Sequence, residues 1–128
     1  MTELEYIMEE FRVIVAGGRD FEDYELLCST LDKLLTLKAK THSIAIVSGL
    51  ARGADNLGEK YAKERGYHVK EFPAQWDKYG KSAGYRRNGE MADNADACVA
   101  FWDLKSRGTK HMIDLAVKKD LKYRIVYY

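Results

Sequence analysis

The chain has 128 residues and a mass of 14.7 kDa, with 21 Lys plus Arg against 20 Asp plus Glu and a formal net charge of +1. That length holds one domain of common size, and 46% apolar with 32% charged residues excludes the apolar-poor, charge-heavy signature of disorder. The balanced charge argues against a general polyanion binder, and no apolar run approaches the roughly 18 residues of a membrane span.

The N-terminal stretch, Met1 to Glu10, is acidic and has no basic n-region. It is expected to be an extension without a secretory signal, ahead of a single domain over residues 11–128, with the cytoplasm as the compartment. Residues 11–16, Phe-Arg-Val-Ile-Val-Ala, form a β-branched run closed by Gly17-Gly18, which predicts a buried strand. Asp20 is placed to cap the first helix. Leu26, Leu27, Leu31, Leu34 and Leu35 recur at helical spacing, which predicts that helix over 22–39. Residues 43–48, Ser-Ile-Ala-Ile-Val-Ser, predict a second buried strand ended by Gly49. Ala54, Leu57, Gly58, Tyr61 and Ala62 mark one face of a helix that stops at Gly66. Residues 67–72 predict a third strand closed by Pro73, residues 74–84 a loop, and residues 85–94 a short helix. Ala-Cys-Val-Ala-Phe-Trp over 97–102 predicts a fourth strand, Thr109 to Asp120 a helix, and 123–127 a last strand. Short apolar strands alternating with amphipathic helices imply a parallel sheet covered on both faces. Right-handed crossovers make it a doubly wound, five-stranded α/β sheet. Cys28 and Cys98 lie inside apolar stretches and fit buried thiols of a reducing compartment.

In such sheets ligands sit outside the carboxyl ends of the strands. The glycine-rich and charged motifs come after strands one, two and four, which is where a site belongs. Gly17-Gly18-Arg19-Asp20 permits a tight turn into a helix start, whose free N–H groups and positive dipole end suit an anion. The same segment is also an ordinary strand-to-helix turn. Ser48-Gly-Leu-Ala-Arg-Gly-Ala-Asp55 repeats the arrangement with Arg52 between two glycines, and Asp55 falls in the first helical turn, able to cap it, pair with an arginine or hold a ribose hydroxyl. Neither segment is a Walker A loop or a dinucleotide fingerprint. Arg86 and Arg87 are adjacent and so point to different faces of their helix, one toward a cleft and one toward the surface, with Asn88 as a base or ribose contact. Asp103 ends strand four, and the Thr109 hydroxyl beside Gly108 can cap a helix or bind phosphate. His111 has no neighbour at metal spacing and is read as a surface histidine, and no metal site is predicted. Trp76, Tyr79 and Tyr85 sit in and beside the long loop, where they can stack on a base, join the core or meet another subunit.

Four segments together resemble the SLOG superfamily and are most similar to its YspA-like branch, a domain of unknown function in bacteria and phages. They are Arg12 to Phe21, Val47 to Asp55, Tyr85 to Met91, and Phe101-Trp-Asp with Ser106-Arg-Gly-Thr109. The resemblance implies a Rossmann-like sheet and a nucleotide or nucleotide-derived ligand. Its relatives include the cytokinin-activating phosphoribohydrolases, molybdenum-cofactor carrier proteins and the DNA-processing DprA proteins. Carried over by position, it implies ligand contacts at Gly17, Gly18, Arg19, Ser48, Gly49, Arg52, Gly53, Asp55, Arg87, Asn88, Asp103, Gly108 and Thr109. The phosphoribohydrolases carry Pro-Gly-Gly-x-Gly-Thr followed by glutamates. This chain has Lys105-Ser-Arg-Gly-Thr-Lys-His there, so their catalytic glutamate has no counterpart.

Three functions stand as expectations. The first is a nucleotide-binding sensor or carrier that requires no cofactor and, by analogy, assembles as a homo-oligomer. The second is a hydrolase of an N-glycosidic or phosphate bond, with Asp55, Glu90 or Asp103 as the candidate carboxylate. The third is a single-stranded nucleic-acid binder using Arg19, Arg52, Arg86, Arg87, Lys105 and Arg107.

Overall fold

The computed structural model describes residues 8–128. Residues 1–7 of the expected extension lie outside the described residues, and the first strand already begins at Glu10. Five strands, β1 (Glu10–Gly17), β2 (Ser43–Ser48), β3 (His68–Glu71), β4 (Ala97–Trp102) and β5 (Lys122–Tyr127), form one sheet in the order β3-β2-β1-β4-β5. Every neighbouring pair is parallel, with Val13 opposite Ile46 on one side of β1 and Ala97 on the other. Between the strands run α1 (Tyr24–Leu35), α2 (Ala54–Arg65), α3 (Trp76–Tyr79), α4 (Ala83–Asp93) and α5 (Arg107–Lys118).

The alternation of side chains along β1 separates two cores. Val13 and Val15 face α1 and α2, where Leu27, Leu31, Leu35 and Tyr61 are buried. Ile14 and Ala16 face α4 and α5, where Met91, Met112, Ile113 and Ala116 are buried. This is the doubly wound α/β architecture, with helices on both faces. Gly58 lets α2 lie close to the sheet, since a Cβ there would stand 2.9 Å from Val15 Cβ. A bidentate pair closes the start of β1 against the turn before β4. Arg12 Nε and Nη2 donate to the two Asp96 oxygens at 3.2 Å each, and Arg12 N donates to Asp96 Oδ2 at 2.9 Å.

Three local expectations need correction. The helix predicted over 22–39 ends at Leu35, and a separate 3-10 turn occupies Lys38–Lys40. Leu37 continues the apolar rhythm past the buried Leu35 but is itself exposed, so no packing holds the helix beyond Leu35. Its cap is Asp23, whose carboxylate accepts from Leu26 N at 3.0 Å, and not Asp20. The expected loop over 74–84 contains α3 and a 3-10 turn at Gly80–Ser82, and α4 starts at Ala83, two residues earlier than predicted.

Candidate functional site

Strand order reverses between β1 and β4, because β1 is followed outward by β2 on one side while the chain later returns to β4 on the other. That is the position where doubly wound sheets hold ligands. A cavity of about 430 Å³ opens there, lined by Gly17, Gly18, Arg19, Asp20, Asp55, Arg87, Asp103, Ser106, Gly108 and Thr109. A second hollow of about 280 Å³ adjoins it and shares Arg19 and Arg87, with Gly49, Arg52 and Trp76 in its remaining wall.

The glycines are there because backbone must pass closely. A Cβ on Gly17 would stand 2.7 Å from both Ala54 Cβ and Phe101 O, atoms held in α2 and β4. Gly53 has φ +77°, a region that favours glycine, and it lies against the backbone of Gly18 and Arg19. Ala54 N then donates to Gly18 O at 3.3 Å, so the turn after β1 is docked onto the start of α2. Gly49 makes room for two functional groups. A Cβ there would meet Arg87 Nη1 at 2.5 Å and Asp55 Oδ2 at 2.8 Å.

Arg87 is half-buried and enters the cleft from α4. Its Nη1 donates to Gly49 O and its Nε to Asn88 Oδ1 at 3.1 Å, so part of its five-donor fork remains for the cavity. Arg86 takes the other face. It lies over the Tyr79 ring, 4.3 Å from the centroid, and Nε donates to Ser82 Oγ at 3.2 Å. Asp55 is 6% exposed and accepts from Ala51 N at 3.2 Å. Burial pushes its carboxyl up to about 6, against the opposing pull of the Ala51 amide and the Arg87 charge. Desolvation in turn lowers the Arg87 guanidinium, with Arg19 as a like charge nearby. Behind Asp55, burial holds the Cys98 thiol up at about 12, so it is an inert apolar filler here.

The start of α5 forms the opposite wall. Ser106 is its N-cap, and Ser106 Oγ accepts from Thr109 N at 3.3 Å and bonds Thr109 Oγ1 at 2.9 Å. The first-turn amides of Arg107 and Gly108 have no partner within the helix. Asp103 Oδ1 accepts from Lys105 N and Ser106 N at 2.8 Å each, and those amides hold its carboxyl below the usual range.

The cavity brings together Gly17, Gly18, Arg19, Asp55, Arg87, Asp103, Gly108 and Thr109 of the residues selected from sequence, and the adjoining hollow adds Gly49 and Arg52. Three others serve the scaffold. Ser48 is buried, its Oγ donating to Glu59 Oε2 at 2.8 Å and accepting from Leu50 N. Gly53 supports the turn between β1 and α2. Asn88 is buried and ties α4 to α5, its Nδ2 lying 3.3 Å from Gly108 O and 3.1 Å from His111 Nδ1. Glu90 is exposed on α4 and lines neither cavity. His111 is not the free surface histidine expected. It bonds Asn88, stands edge-on to Tyr85, and burial lowers its pKa. Sequence reasoning missed Asp20, Ser106 and Tyr128. Tyr128 Oη donates to Asp20 Oδ1 at 2.7 Å and its ring lies edge-on to Phe21, placing it beside Gly18.

Comparison with known proteins identifies the family and the fold. The model of the YAcAr family, described as the YspA, cpYpsA-related SLOG family, matches residues 11–79, more than half of the chain. The chain belongs to the YspA, cpYpsA-related SLOG family. Gene 61 protein of Mycobacterium phage D29 is 34% identical over 113 residues, covering 84% of this chain and 89% of that protein. Among solved structures, DNA processing protein A from Streptococcus pneumoniae superposes with a TM-score of 0.68 at 15% identity, over 91% of this chain and 50% of that one. The structural-genomics target TM1055 superposes at 0.59 with 18% identity, over 91% of this chain and 72% of that one. At those identities the likeness is one of fold, and this SLOG chain spans only half the length of the DNA processing protein. The family-model match contains Arg19, Arg52 and Asp55, whereas Arg87, Asp103 and Thr109 lie beyond it. No helix among the described residues is long and apolar enough to cross a membrane.

Proposed function

We propose that this chain binds a nucleotide or nucleotide derivative at the carboxyl ends of β1 and β4, as a sensor or carrier of a phosphorylated ligand that needs no further cofactor. The observation that carries this reading is the convergence of Arg19 and Arg87 on one cavity, opposite the first turn of α5. Guanidinium forks match phosphate geometry, and unpaired helix-start amides add donors and a favourable dipole. The family assignment and the likeness to a DNA processing protein support a nucleotide-related ligand over other anions.

The test is a thermal-shift screen of the purified chain against nucleoside mono-, di- and triphosphates, with each mixture then analysed by mass spectrometry. A ligand at about 100 times its Kd stabilises the native state by about 2.7 kcal/mol and raises Tm. The reading expects such a shift with an intact ligand, and its loss in Arg87→Ala. No shift across the panel overturns it.

Hydrolysis is a second reading, favoured by one observation. Asp55 is a buried carboxyl on the cavity wall with its pKa raised to about 6, near the range in which a carboxyl exchanges protons at neutral pH. Release of a free base or phosphate in the same mixtures, abolished by Asp55→Asn, supports that reading. Intact ligand after prolonged incubation removes it.

A further inference from the structure

The sheet has two edges, and they are finished differently. β3 is four residues long and carries His68, Lys70 and Glu71, with Lys70 in an ion pair with Glu10. Short, charged edges resist pairing with another chain. β5 is six residues long and pairs with β4 alone, so its outer side is free among the described residues. Tyr123 and Tyr127 stand on it 53% and 58% exposed, on either side of the partly buried Ile125.

The backbone decides which residues can receive a new strand. Lys122 N donates to Asp96 O at 3.3 Å and Tyr128 N to Trp102 O at 3.2 Å, so the even-numbered residues of β5 face β4. Tyr123, Ile125 and Tyr127 therefore turn their N–H and C=O groups outward. The same three lie opposite Cys98, Ala100 and Trp102, and so share one face of the sheet. Read in either direction, Tyr-Arg-Ile-Val-Tyr over 123–127 has tyrosine at both ends and isoleucine at its centre. A strand of that pattern is complementary to its own antiparallel copy.

We propose that two copies of this chain join edge to edge through β5, antiparallel and centred on Ile125, so that one sheet runs through both. Each Ile125 meets the partner's Ile125, and each Tyr123 meets the partner's Tyr127, in pairs that exchange N–H···O bonds. The tyrosines form cross-strand aromatic pairs. Arg124 stands opposite the partner's Val126 and Lys122 opposite the partner's Tyr128, so no cation faces another. Charge and aromatic pairing select this register. Moving the centre to Arg124 sets that residue against the partner's Arg124, and like charges directly opposite are destabilising. Moving it to Val126 sets Tyr127 against the partner's Ile125 and breaks both tyrosine pairs. The contact is isologous and closes at two copies, with their clefts at opposite ends of the joined sheet. It does not rest on the ligand of the cleft.

The experiment is sedimentation equilibrium of the full chain over a concentration series, with disulfide trapping to read the register. The mass should rise from 14.7 kDa toward twice that value, with a dissociation constant on the order of 10 µM for an interface at the small end of the usual range. Tyr123→Pro removes an outward N–H that β4 does not use and one member of each tyrosine pair, at a position where an edge strand accepts proline. It should weaken the dimer about tenfold or more and leave the circular dichroism spectrum unchanged. Hydrogen-bonded antiparallel pairs hold their Cα atoms about 5.5 Å apart, within disulfide reach. Tyr123→Cys mixed with Tyr127→Cys should therefore cross-link on oxidation. Neither variant alone should do so, nor the unsubstituted chain, whose Cys98 is buried and Cys28 half-buried. A chain that stays monomeric up to about 100 µM overturns the proposal and turns the edge toward a strand of another protein. A dimer that Tyr123→Pro leaves unchanged, or in which the mixed cysteine variants do not cross-link, also overturns it. So does a mass that keeps rising beyond two copies.

Discussion

Replacing Asp55 by asparagine should make the protein more stable at neutral pH. The carboxyl is buried on the cavity wall and its pKa stands at about 6, against an ordinary value of 3.8. That difference corresponds to roughly 3 kcal/mol of disfavoured ionisation. The sign comes from proton counting. Below pH 4 the group is neutral in both folded and unfolded chains and costs nothing. Between pH 4 and 6 the folded chain binds more protons than the unfolded one, so stability falls as pH rises, and above pH 6 the full penalty applies. Asparagine is neutral throughout, and its oxygen can keep the bond from Ala51 N. Its amide needs an acceptor in place of the second carboxylate oxygen, which gives back about 1 kcal/mol. The net gain at pH 7.5 is then about 1–2 kcal/mol, or about 4–8 °C in Tm for a chain of this size. The assay is thermal unfolding of both proteins from pH 3.5 to 8. The gap should open between pH 4 and 6 and stay constant above. A gap that is absent or reversed at pH 7.5, or that does not change with pH, refutes the account of Asp55 as a buried acid held at a cost.

Gly49→Ala should cut ligand affinity about tenfold or more, read by calorimetry, because its methyl occupies the place where Arg87 and Asp55 converge. Arg87 Nη1, the far end of a flexible chain, can swing aside at little cost, so any fall in Tm is set by the buried Asp55 carboxyl at 2.8 Å. Gly17→Ala should act oppositely, lowering stability by about 1–3 kcal/mol in urea unfolding, because its neighbours at 2.7 Å are a backbone oxygen of β4 and a Cβ of α2. Tyr61→Phe should lower stability by about 1 kcal/mol, since the buried Tyr61 hydroxyl donates to Asp32 Oδ1 at 2.7 Å while Arg65 still holds that carboxylate at 2.9 and 3.0 Å. Asp32 and Asp96 are both held below the usual carboxylate range by their arginines, so their stabilisation is present above about pH 4 and is lost as pH falls through their lowered values. Asp96→Asn should therefore flatten the acid limb of a Tm-against-pH curve, and more so at low salt.

The order of strands and helices was legible because each strand is a short apolar run and each long helix has a leucine, alanine or methionine face. What periodicity could not carry was the exact stop of α1, where Leu37 continues an apolar rhythm beyond the buried Leu35. It also missed α3, a single turn with no side-chain cap. In the site, the glycine turns and arginines were legible from their positions after strands. The direction of a side chain was not. Arg87 rather than Arg86 enters the cleft because Tyr79 and Ser82 hold Arg86 outside. Asn88 looked like a ligand contact because it is polar beside Arg87, yet its amide group is used between Arg87, Gly108 and His111. Tyr128 could not be found from spacing, since only the parallel pairing of β5 with β4 brings it alongside the turn after β1.

The central place of β1 bears on synthesis. During synthesis β1 emerges before both of its partners, β2 about 30 residues later and β4, whose Ala97 meets Val13, more than 80 residues later. A nascent chain that has emerged through β3 can hold Arg19, Arg52 and Asp55 near their final places, yet it lacks Arg87, Asp103 and Thr109. Half of the β1 ladder stays open until β4 has emerged, exposing one parallel edge to the solvent or to a chaperone. On the nucleotide-binding reading proposed above, the cleft is complete only once β4 has docked and α5 has formed. A translation arrest scanned along the chain should accordingly find ligand-dependent protection appearing abruptly, once α5 has cleared the exit tunnel.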